Sequence, residues 1–302
     1  MRPCATIGAT SSRYTSENNM GNLGFHCHNL DLFDEMIVGK GLRRGEFYNL
    51  TAGELPRLKR LIRRHKLEWS IHAPLIQLDW YPKPPTWSFL CDMGADKREL
   101  TVKMITLTME QADEFGAEYV VVHFPSPTSE ESDEGGSKVK AIAWKSCDRL
   151  AELSVKKSIP IHVEGVGASP LINAEFLKSV LKEYSPPLQY CFDTAHMHLA
   201  AIHNGFDLYA FEAEILLYLG SVHLWNTRSK DDYVAFRHIP VHPSQSAEDG
   251  WVDIARVLQI MGSARNSLPI IFESDRLYPE ALGNYNYGEG VQWVKKLLET
   301  LS

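Results

Sequence analysis

Six imidazole or carboxylate side chains each follow a short apolar segment of the sequence. They are His72, His123, Glu164, Asp193, His223 and Glu273. Imidazole and carboxylate groups together bind zinc, manganese, cobalt or iron, whereas magnesium and calcium favour an all-oxygen shell. The sequence therefore predicts a site for a divalent transition metal such as Zn, Mn or Co. The candidate ligands are Glu164, Asp193, His223 and Glu273.

The two glutamates carry the most weight in this prediction. Glu164 and Glu273 each end a run that is apolar enough for a strand buried on both faces. A carboxylate there is costly unless a cation neutralises it. His72 or His123 alone is weaker evidence, because a single buried histidine is more often a core residue with satisfied hydrogen bonds. The metal prediction therefore rests on the residues jointly.

The segments before these residues belong to a repeated helix and strand unit. From residue 55 onward, helical apolar spacing alternates with short strand-like runs. After a first helix that begins near residue 55, helices are expected at residues 101–115, 141–157, 174–184, 208–219, 252–261 and 291–301. Strands are expected at residues 67–71, 118–122, 159–163, 189–192, 221–222 and 268–272. Two earlier strands, at residues 5–9 and 33–38, bring the number to eight.

Eight alternating units predict an α/β protein with a (β/α)8, or TIM, barrel. An open doubly wound sheet usually has a glycine-rich first turn, which this sequence lacks. The length of 302 residues would also allow two domains, but we expect one domain over residues 1–302. Long loops are expected at about residues 11–30, 76–96 and 125–138. Because the carboxyl ends of barrel strands converge on one face, the six polar residues should share one pocket.

The composition is that of an ordinary globular protein and limits the partners. Lys and Arg number 31 against 38 Asp and Glu, a net charge of −7, which gives no general attraction for nucleic acid or an anionic membrane. Five scattered cysteines without a CxxC pair indicate reduced thiols. The sequence has no apolar run typical of a signal peptide or a membrane span. A cytoplasmic protein without a membrane partner is expected, and its oligomeric state is left open.

Seven segments, in this order, resemble the superfamily of xylose isomerase-like barrels. They are SIHAPL (70–75), VVHFP (121–125), IHVEG (161–165), CFDTAH (191–196), VHLWN (222–226), HIPVHP (238–243) and IFESD (271–275). The superfamily includes endonuclease IV and the isomerases and epimerases related to tagatose epimerase and hydroxypyruvate isomerase. The resemblance covers about residues 30–300. It implies that Glu164, Asp193, His223 and Glu273 are the shared metal ligands.

The resemblance also gives roles to three further histidines. His196 matches a position that binds substrate in the epimerases and a further metal in endonuclease IV. His72 and His123 match positions that hold another metal in the nuclease, and many relatives of the sugar-isomerase type keep them too. These histidines are therefore candidates for a second metal site or for substrate binding.

The third metal site of the nuclease is matched less well. Its histidine would be His242, but Pro240 stands where the nuclease has an aspartate. The nearby imidazole is His238, and one of these two histidines could simply make hydrogen bonds. The nuclease glutamate precedes an asparagine-containing turn, whereas Glu164 precedes GVGASP. We therefore expect between one and three divalent ions.

The first functional hypothesis is a metal-dependent isomerase or epimerase of a sugar or a related hydroxy-carbonyl compound. Such chemistry needs a Lewis acid and bases that move a proton at the adjacent carbon, and Glu164 and Glu273 fit as that pair. Residues that could bind the substrate are Trp80, Tyr81, Trp87, Phe89, Trp225, Arg228 and Lys230. The same aromatics could instead pack on the barrel rim, and the two cations could simply be solvated.

The second hypothesis is an endonuclease IV-like zinc phosphodiesterase that cuts abasic DNA. Histidines beyond the needs of one metal favour it, since neighbouring metals can stabilise both the attacking and the leaving oxygen. Charge argues against it, because four acidic residues follow His123 in the loop at 125–138 and no dense Lys/Arg strip surrounds the motifs. A metal-dependent lyase or dehydratase and a non-catalytic barrel are further alternatives, and we rank the isomerase or epimerase first.

Overall fold

The computed structural model describes residues 22–82, 84–126, 137–167, 169–274 and 285–301. Eight parallel strands form a closed barrel in which each strand pairs with its neighbours in sequence and the first pairs with the last. The strands are β1 (Leu23–Cys27), β2 (Arg44–Phe47), β3 (Glu68–His72), β4 (Val120–His123), β5 (Ile161–Glu164), β6 (Leu188–Asp193), β7 (Leu219–Leu224) and β8 (Ile270–Phe272). The predicted (β/α)8 barrel is confirmed.

Ten α-helices lie in the described ranges. They are α1 (Phe33–Met36), α2 (Leu55–His65), α3 (Ala95–Phe115), α4 (Ser137–Lys157), α5 (Ala174–Tyr184), α6 (Thr194–Asn204), α7 (Leu208–Ile215), α8 (Lys230–Phe236), α9 (Ile254–Ile260) and α10 (Tyr287–Thr300). Several begin at a side chain that accepts a backbone N–H, as Asn173 does for α5 and Asp253 for α9. In this part of the chain, no helix has both the length and the apolar composition needed to cross a membrane.

The expected strand at residues 33–38 is wrong. Phe33–Met36 forms α1, and a 3-10 turn follows at Val38–Lys40. Phe33 and Met36 are buried while the two acidic residues between them are exposed, which is helical rather than alternating burial. The second strand is β2, whose sequence RGEF has too few apolar residues to be recognised by hydrophobicity.

The first strand also differs from the expectation. The segment expected to form it, residues 5–9, lies outside the described residues. The structure places β1 at Leu23–Cys27, inside the segment 11–30 that the sequence predicts as a loop. That part of the loop prediction is wrong, because LGFHC supplies a short strand that is buried along its whole length.

The later units follow the sequence prediction closely. Every expected strand from residue 67 onward overlaps a strand of the barrel, and the helix expected at 174–184 coincides with α5. Two helices were missed, α6 and α8. Among the described residues of the loop predicted at 76–96, only the last two are α-helical, because α3 begins at Ala95. Most of the loop at 125–138 lies outside the described residues, and α4 begins at Ser137 within it.

The pairing register sets the height of the polar residues in the barrel. His123 pairs with Glu164 across β4 and β5, and Asp193 pairs with His223 across β6 and β7. Side chains alternate along each strand. Val163 and Phe192 therefore belong to the apolar core, while Glu164 and Asp193, which follow them, point inward. The carboxyl ends of the strands therefore bring imidazoles and carboxylates together inside the barrel.

Candidate metal centre

The four candidate ligands lie together at one end of the barrel. Glu164, Asp193 and His223 belong to β5, β6 and β7, and Glu273 directly follows β8. One ligand atom from each lies within 4.8 Å of the others. All four side chains are buried. Residues that are up to 109 positions apart in sequence thus form one compact group.

The Nδ1 atom of His223 faces the three carboxylates. It lies 2.9 Å from Oε2 of Glu273, 3.3 Å from Oε2 of Glu164 and 3.9 Å from Oδ2 of Asp193. Neither this nitrogen nor Glu273 Oε2 makes a hydrogen bond with a described residue. One ring nitrogen carries at most one proton, which cannot satisfy three carboxylates. A buried imidazole nitrogen that faces three carboxylates and lacks a hydrogen bond within the described residues fits a divalent transition metal.

The pKa values of these groups show an imbalance of charge. Burial raises the pKa of Asp193 to about 7. Burial also raises the pKa of Glu164, but the neighbouring imidazoles of His223 and His123 outweigh it and hold this pKa well below its ordinary value. The protein alone therefore keeps Asp193 partly protonated near neutral pH, whereas a cation would favour all of the carboxylates in the ionised form.

A second group of ligand atoms shares Glu164. His72 Nε2 lies 3.2 Å from Glu164 Oε2, and His123 Nε2 lies 3.8 Å from Glu164 Oε1. The two rings meet edge to face at 4.7 Å. Burial lowers the pKa of His123 to about 3, so this imidazole is neutral and has a lone pair to give to a metal. His72, His123 and Glu164 thus have the composition and spacing of a second metal site.

Two further predicted histidines border the centre. His196 Nε2 lies 3.9 Å from Glu164 Oε1, and His238 Nδ1 lies 3.6 Å from Glu273 Oε1. The two rings are perpendicular at 5.9 Å. Each glutamate thus has an imidazole close to its Oε1 atom.

Trp225 lies beside these histidines. It is fully buried, and its Nε1 donates a hydrogen bond of 2.7 Å to Oδ2 of Asp193. Its ring lies 4.3 Å from that of His238 and 5.1 Å from that of His196. Together with Tyr233, which stacks on His238, it forms an aromatic wall next to the carboxylates.

Two predicted site residues make their described contacts elsewhere. His242 uses Nδ1 with Ser244 Oγ at 2.7 Å and Nε2 with Glu289 Oε2 at 3.0 Å. The guanidinium of Arg228 bonds to Asp232 at 2.5 and 3.0 Å. It also lies over the ring of Trp251. Lys230 is exposed at the start of α8.

The aromatic residues of the loop before α3 pack on that helix. Trp80 is 37% exposed, and Lys103 of α3 lies 4.4 Å from its ring centroid. The hydroxyl of Tyr81 bonds to Thr101 of α3 and to the carbonyl of Trp87. Phe89 lies near Lys97, also of α3. These contacts agree with the alternative that the loop aromatics pack on the barrel rim.

Two residues that the sequence reasoning did not identify contact the centre. His26 of β1 places Nδ1 3.1 Å from Glu273 Oε1 and stacks on Tyr48 at 4.0 Å. Glu46 of β2 places Oε1 2.8 Å from Nε2 of His223. Burial raises the pKa of Glu46, but His223 outweighs it and lowers the pKa to about 2, so Glu46 is ionised. Both residues were missed because the first two strands were predicted in the wrong places. The sequence did contain a signal for them, since His26 stands between Phe25 and Cys27 and Glu46 directly precedes Phe47.

Comparison with known proteins agrees with this fold. The model of the xylose isomerase-like TIM barrel family matches residues 30–297. The match spans most of the chain, so the protein belongs to this family.

Three similar proteins illustrate the range of the family. A probable endonuclease 4 of Haloarcula marismortui is 28% identical over 127 residues, which cover 41% of this chain and 42% of that protein. The structure of a D-tagatose 3-epimerase-like protein has a TM-score of 0.67 and 18% identity, with 93% of this chain and 98% of that chain covered. The structure of the protein IOLI with a bound zinc atom has a TM-score of 0.63 and 17% identity, with 93% and 97% covered.

Proposed function

We propose that the protein is a divalent-metal-dependent isomerase or epimerase of a small hydroxy-carbonyl compound such as a sugar. The observation that carries this proposal is the placement of Glu164 and Glu273. Both carboxylates are buried and approach the same nitrogen of His223, at 3.3 and 2.9 Å. A carbon bound beside this centre would have both carboxylates within reach. One glutamate can then remove a proton and the other can return one.

Four residues would hold the first ion: Glu164, Asp193, His223 and Glu273. When bound, the ion acts as a Lewis acid that polarises the carbonyl and hydroxyl oxygens of the substrate. The zinc atom in the IOLI structure makes zinc a reasonable first choice, with manganese and cobalt as alternatives. A second ion would be held by His72, His123 and Glu164, while the contacts of His242 with Ser244 and Glu289 do not support a third.

The neighbouring residues of this chain would control the proton. Glu273 Oε1 lies between His26 Nδ1 and His238 Nδ1, at 3.1 and 3.6 Å, and these imidazoles favour its ionised form. His196 Nε2 lies 3.9 Å from Glu164 Oε1, and its ring is next to that of His238.

The substrate would be bound by the aromatic wall rather than by the loop aromatics. Trp225 itself is fully buried, so the half-buried ring of Tyr233 is the part of this wall that offers apolar surface for the apolar face of a sugar. The predicted contact of Arg228 with a phosphate or carboxylate would first require its release from Asp232. We therefore favour an uncharged sugar-like substrate.

A second candidate function is phosphodiester cleavage in abasic DNA. The extra ligand group of His72, His123 and Glu164 and the likeness to a probable endonuclease 4 favour it. The net charge of −7 argues against it, because DNA binding draws on a dense set of Lys and Arg side chains. We rank this function second.

We also propose a cytoplasmic location. The described cysteines Cys27, Cys91, Cys147 and Cys191 are free and buried. This supports a reducing compartment.

Isotope exchange tests the proposed reaction directly. The metal-loaded protein is incubated with a panel of ketoses in heavy water, and deuterium at the carbon next to the carbonyl is measured by mass spectrometry. Exchange should occur even where net conversion is small. Glu164→Asp and Glu273→Asp should each slow it by about 100-fold, because proton transfer depends steeply on position. Glu289→Asp, at the His242 contact, is the matched control and should leave the rate unchanged.

The same experiment separates the two candidate functions. Abasic duplex DNA should remain uncut under conditions in which the sugar exchanges deuterium. Metal-dependent cutting of that DNA, with no exchange across the sugar panel, would contradict the isomerase or epimerase proposal and favour the nuclease.

A further inference from the structure

Glu46 lies inside the barrel on the far side of His223 from the four-ligand centre. It is fully buried, and its Oε1 atom is 2.8 Å from Nε2 of His223. The opposite ring nitrogen, Nδ1, faces Glu164 and Glu273. One imidazole thus connects Glu46 to the candidate metal ligands.

The carboxylate of Glu46 is held in place by the adjacent strand. Ser70 pairs with Glu46 in the register of β2 and β3, and its hydroxyl donates a hydrogen bond of 2.9 Å to Oε2. Ser70 is also fully buried. Because one oxygen is fixed by Ser70, the other is directed at the His223 ring, and a carboxylate this deeply buried needs such partners.

A histidine that binds a metal through one ring nitrogen carries its proton on the other. The partner of that second nitrogen fixes the tautomer and the direction of the ring, and a carboxylate partner makes the imidazole a stronger donor. The Nε2 atom of His223 and Oε1 of Glu46 lie 2.8 Å apart, and neither has a hydrogen bond with any described residue. A proton on Nε2 can therefore be donated to Oε1 of Glu46.

We propose that Glu46 is a positioning residue of the metal centre, which accepts the Nε2 proton of His223 and so directs Nδ1 toward the metal. This inference rests on the proposed metal centre, and it adds a residue that touches neither the metal nor the substrate. Its role follows from its contact with the ring of His223, where Glu46 Oε1 lies 2.8 Å from Nε2.

Metal titration of the metal-free protein tests this role without any assay of activity. Wild-type protein and Glu46→Gln are titrated with Zn²⁺ in a calorimeter, because glutamine keeps the shape of the side chain and removes its charge. The variant should bind the first ion about 10- to 100-fold more weakly. Its Co²⁺ absorption spectrum should also shift, since a change in the donor strength of His223 alters the ligand field.

The chain offers a matched control in Glu212. This glutamate of α7 is also fully buried, and both of its oxygens lack a hydrogen bond within the described ranges. Glu212→Gln should bind Zn²⁺ within about twofold of the wild type. Equal affinity and an unchanged cobalt spectrum in Glu46→Gln would overturn the role of Glu46 while the metal centre stands. A wild-type protein that binds no metal would overturn both.

A second variant tests the same role in case Glu46→Gln does not fold. Ser70→Ala removes the hydroxyl that holds Glu46 Oε2 and leaves the carboxylate in place. It should weaken Zn²⁺ binding by a smaller factor, about 2- to 10-fold, with an unchanged circular dichroism spectrum. Wild-type affinity in a folded Ser70→Ala protein, together with a Glu46→Gln protein that does not fold, would count against the proposal.

Discussion

The indole of Trp225 donates a hydrogen bond of 2.7 Å to Oδ2 of Asp193. The other carboxylate oxygen, Oδ1, accepts the backbone N–H of His196 at 2.7 Å, where Asp193 begins α6. Both oxygens of this candidate ligand are therefore oriented by the protein before any metal binds. Such preorganisation reduces the cost of ordering the carboxylate on binding.

Removal of the indole donor should weaken metal binding. In Trp225→Phe, Asp193 Oδ2 loses its partner, and we expect a loss of about 10-fold in Zn²⁺ affinity with the fold intact. Trp251→Phe is the control, because Trp251 is buried but contacts Arg228 instead. Calorimetric titration measures both variants. Equal affinities for Trp225→Phe and the wild type would show that the indole does not orient Asp193.

The purified protein should contain at least one transition metal per chain. Asp193→Asn and His223→Ala should lose the metal, because the first removes a carboxylate ligand and the second removes an imidazole ligand. Asp253→Asn is the control, since Asp253 also begins a helix through its side chain and lies at α9. Elemental analysis of protein that has met neither chelator nor nickel resin measures the content. No metal on purification and none on titration would refute the metal centre.

The histidines near Glu164 should reveal whether a second ion binds. If it does, His72→Ala and His123→Ala should each lower the metal content by about one ion per chain. If they only orient the substrate, the metal content should stay constant while turnover falls. His242→Ala, which loses contacts to Ser244 and Glu289, should change neither quantity. Unchanged metal and unchanged turnover in the first two variants would assign both histidines to the core.

Glu212 should make the stability of the protein depend on pH. Burial raises the pKa of Glu212 to about 9, while an unfolded glutamate has a pKa near 4.5. Between these values the folded chain keeps the proton and the unfolded chain releases it, so the free energy of unfolding falls as pH rises. The contribution of Glu212 is fully present below about pH 4.5 and is lost as the pH rises to about 9, at about 1.4 kcal/mol per pH unit.

The variant Glu212→Gln isolates this effect. It mimics the neutral acid, so its stability relative to the wild type should increase between pH 5.5 and pH 7.5 in urea denaturation. Glu214→Gln, at an exposed glutamate that pairs with Lys178, should show almost no such trend. A Glu212→Gln protein that follows the wild-type pH dependence would show that Glu212 is ionised in the folded state.

The sequence predicted the later part of the barrel because its strands follow a simple rule. From β3 to β8, an apolar run ends at an imidazole or a carboxylate, and parallel strands bring such ends together. The polar groups Glu164, Asp193 and His223 could therefore be expected in one place. Their distances, and the sharing of Glu164 between two groups, required the structure.

The first two strands broke this rule. LGFHC and RGEF carry His26, Arg44 and Glu46 inside the barrel, where other polar residues compensate them. Arg44, for example, forms ion pairs with Glu68 and Glu118. Hydrophobicity cannot identify strands whose inward residues are paired charges, and so Glu46 was missed. The bond between the exposed Arg228 and Asp232 was also missed, although these residues are four positions apart, which is a common spacing for an ion pair.

The shared position of Glu164 has an evolutionary consequence. Its Oε2 atom faces both His72 and His223, and its Oε1 atom faces His123. A substitution at this one position would disturb both groups of histidines at once. Loss of His72 or His123 would leave the four-ligand group in place, whereas loss of the Glu164 carboxylate would remove a ligand from both groups. Lineages that diverge in substrate should differ first at the histidines and last at this glutamate.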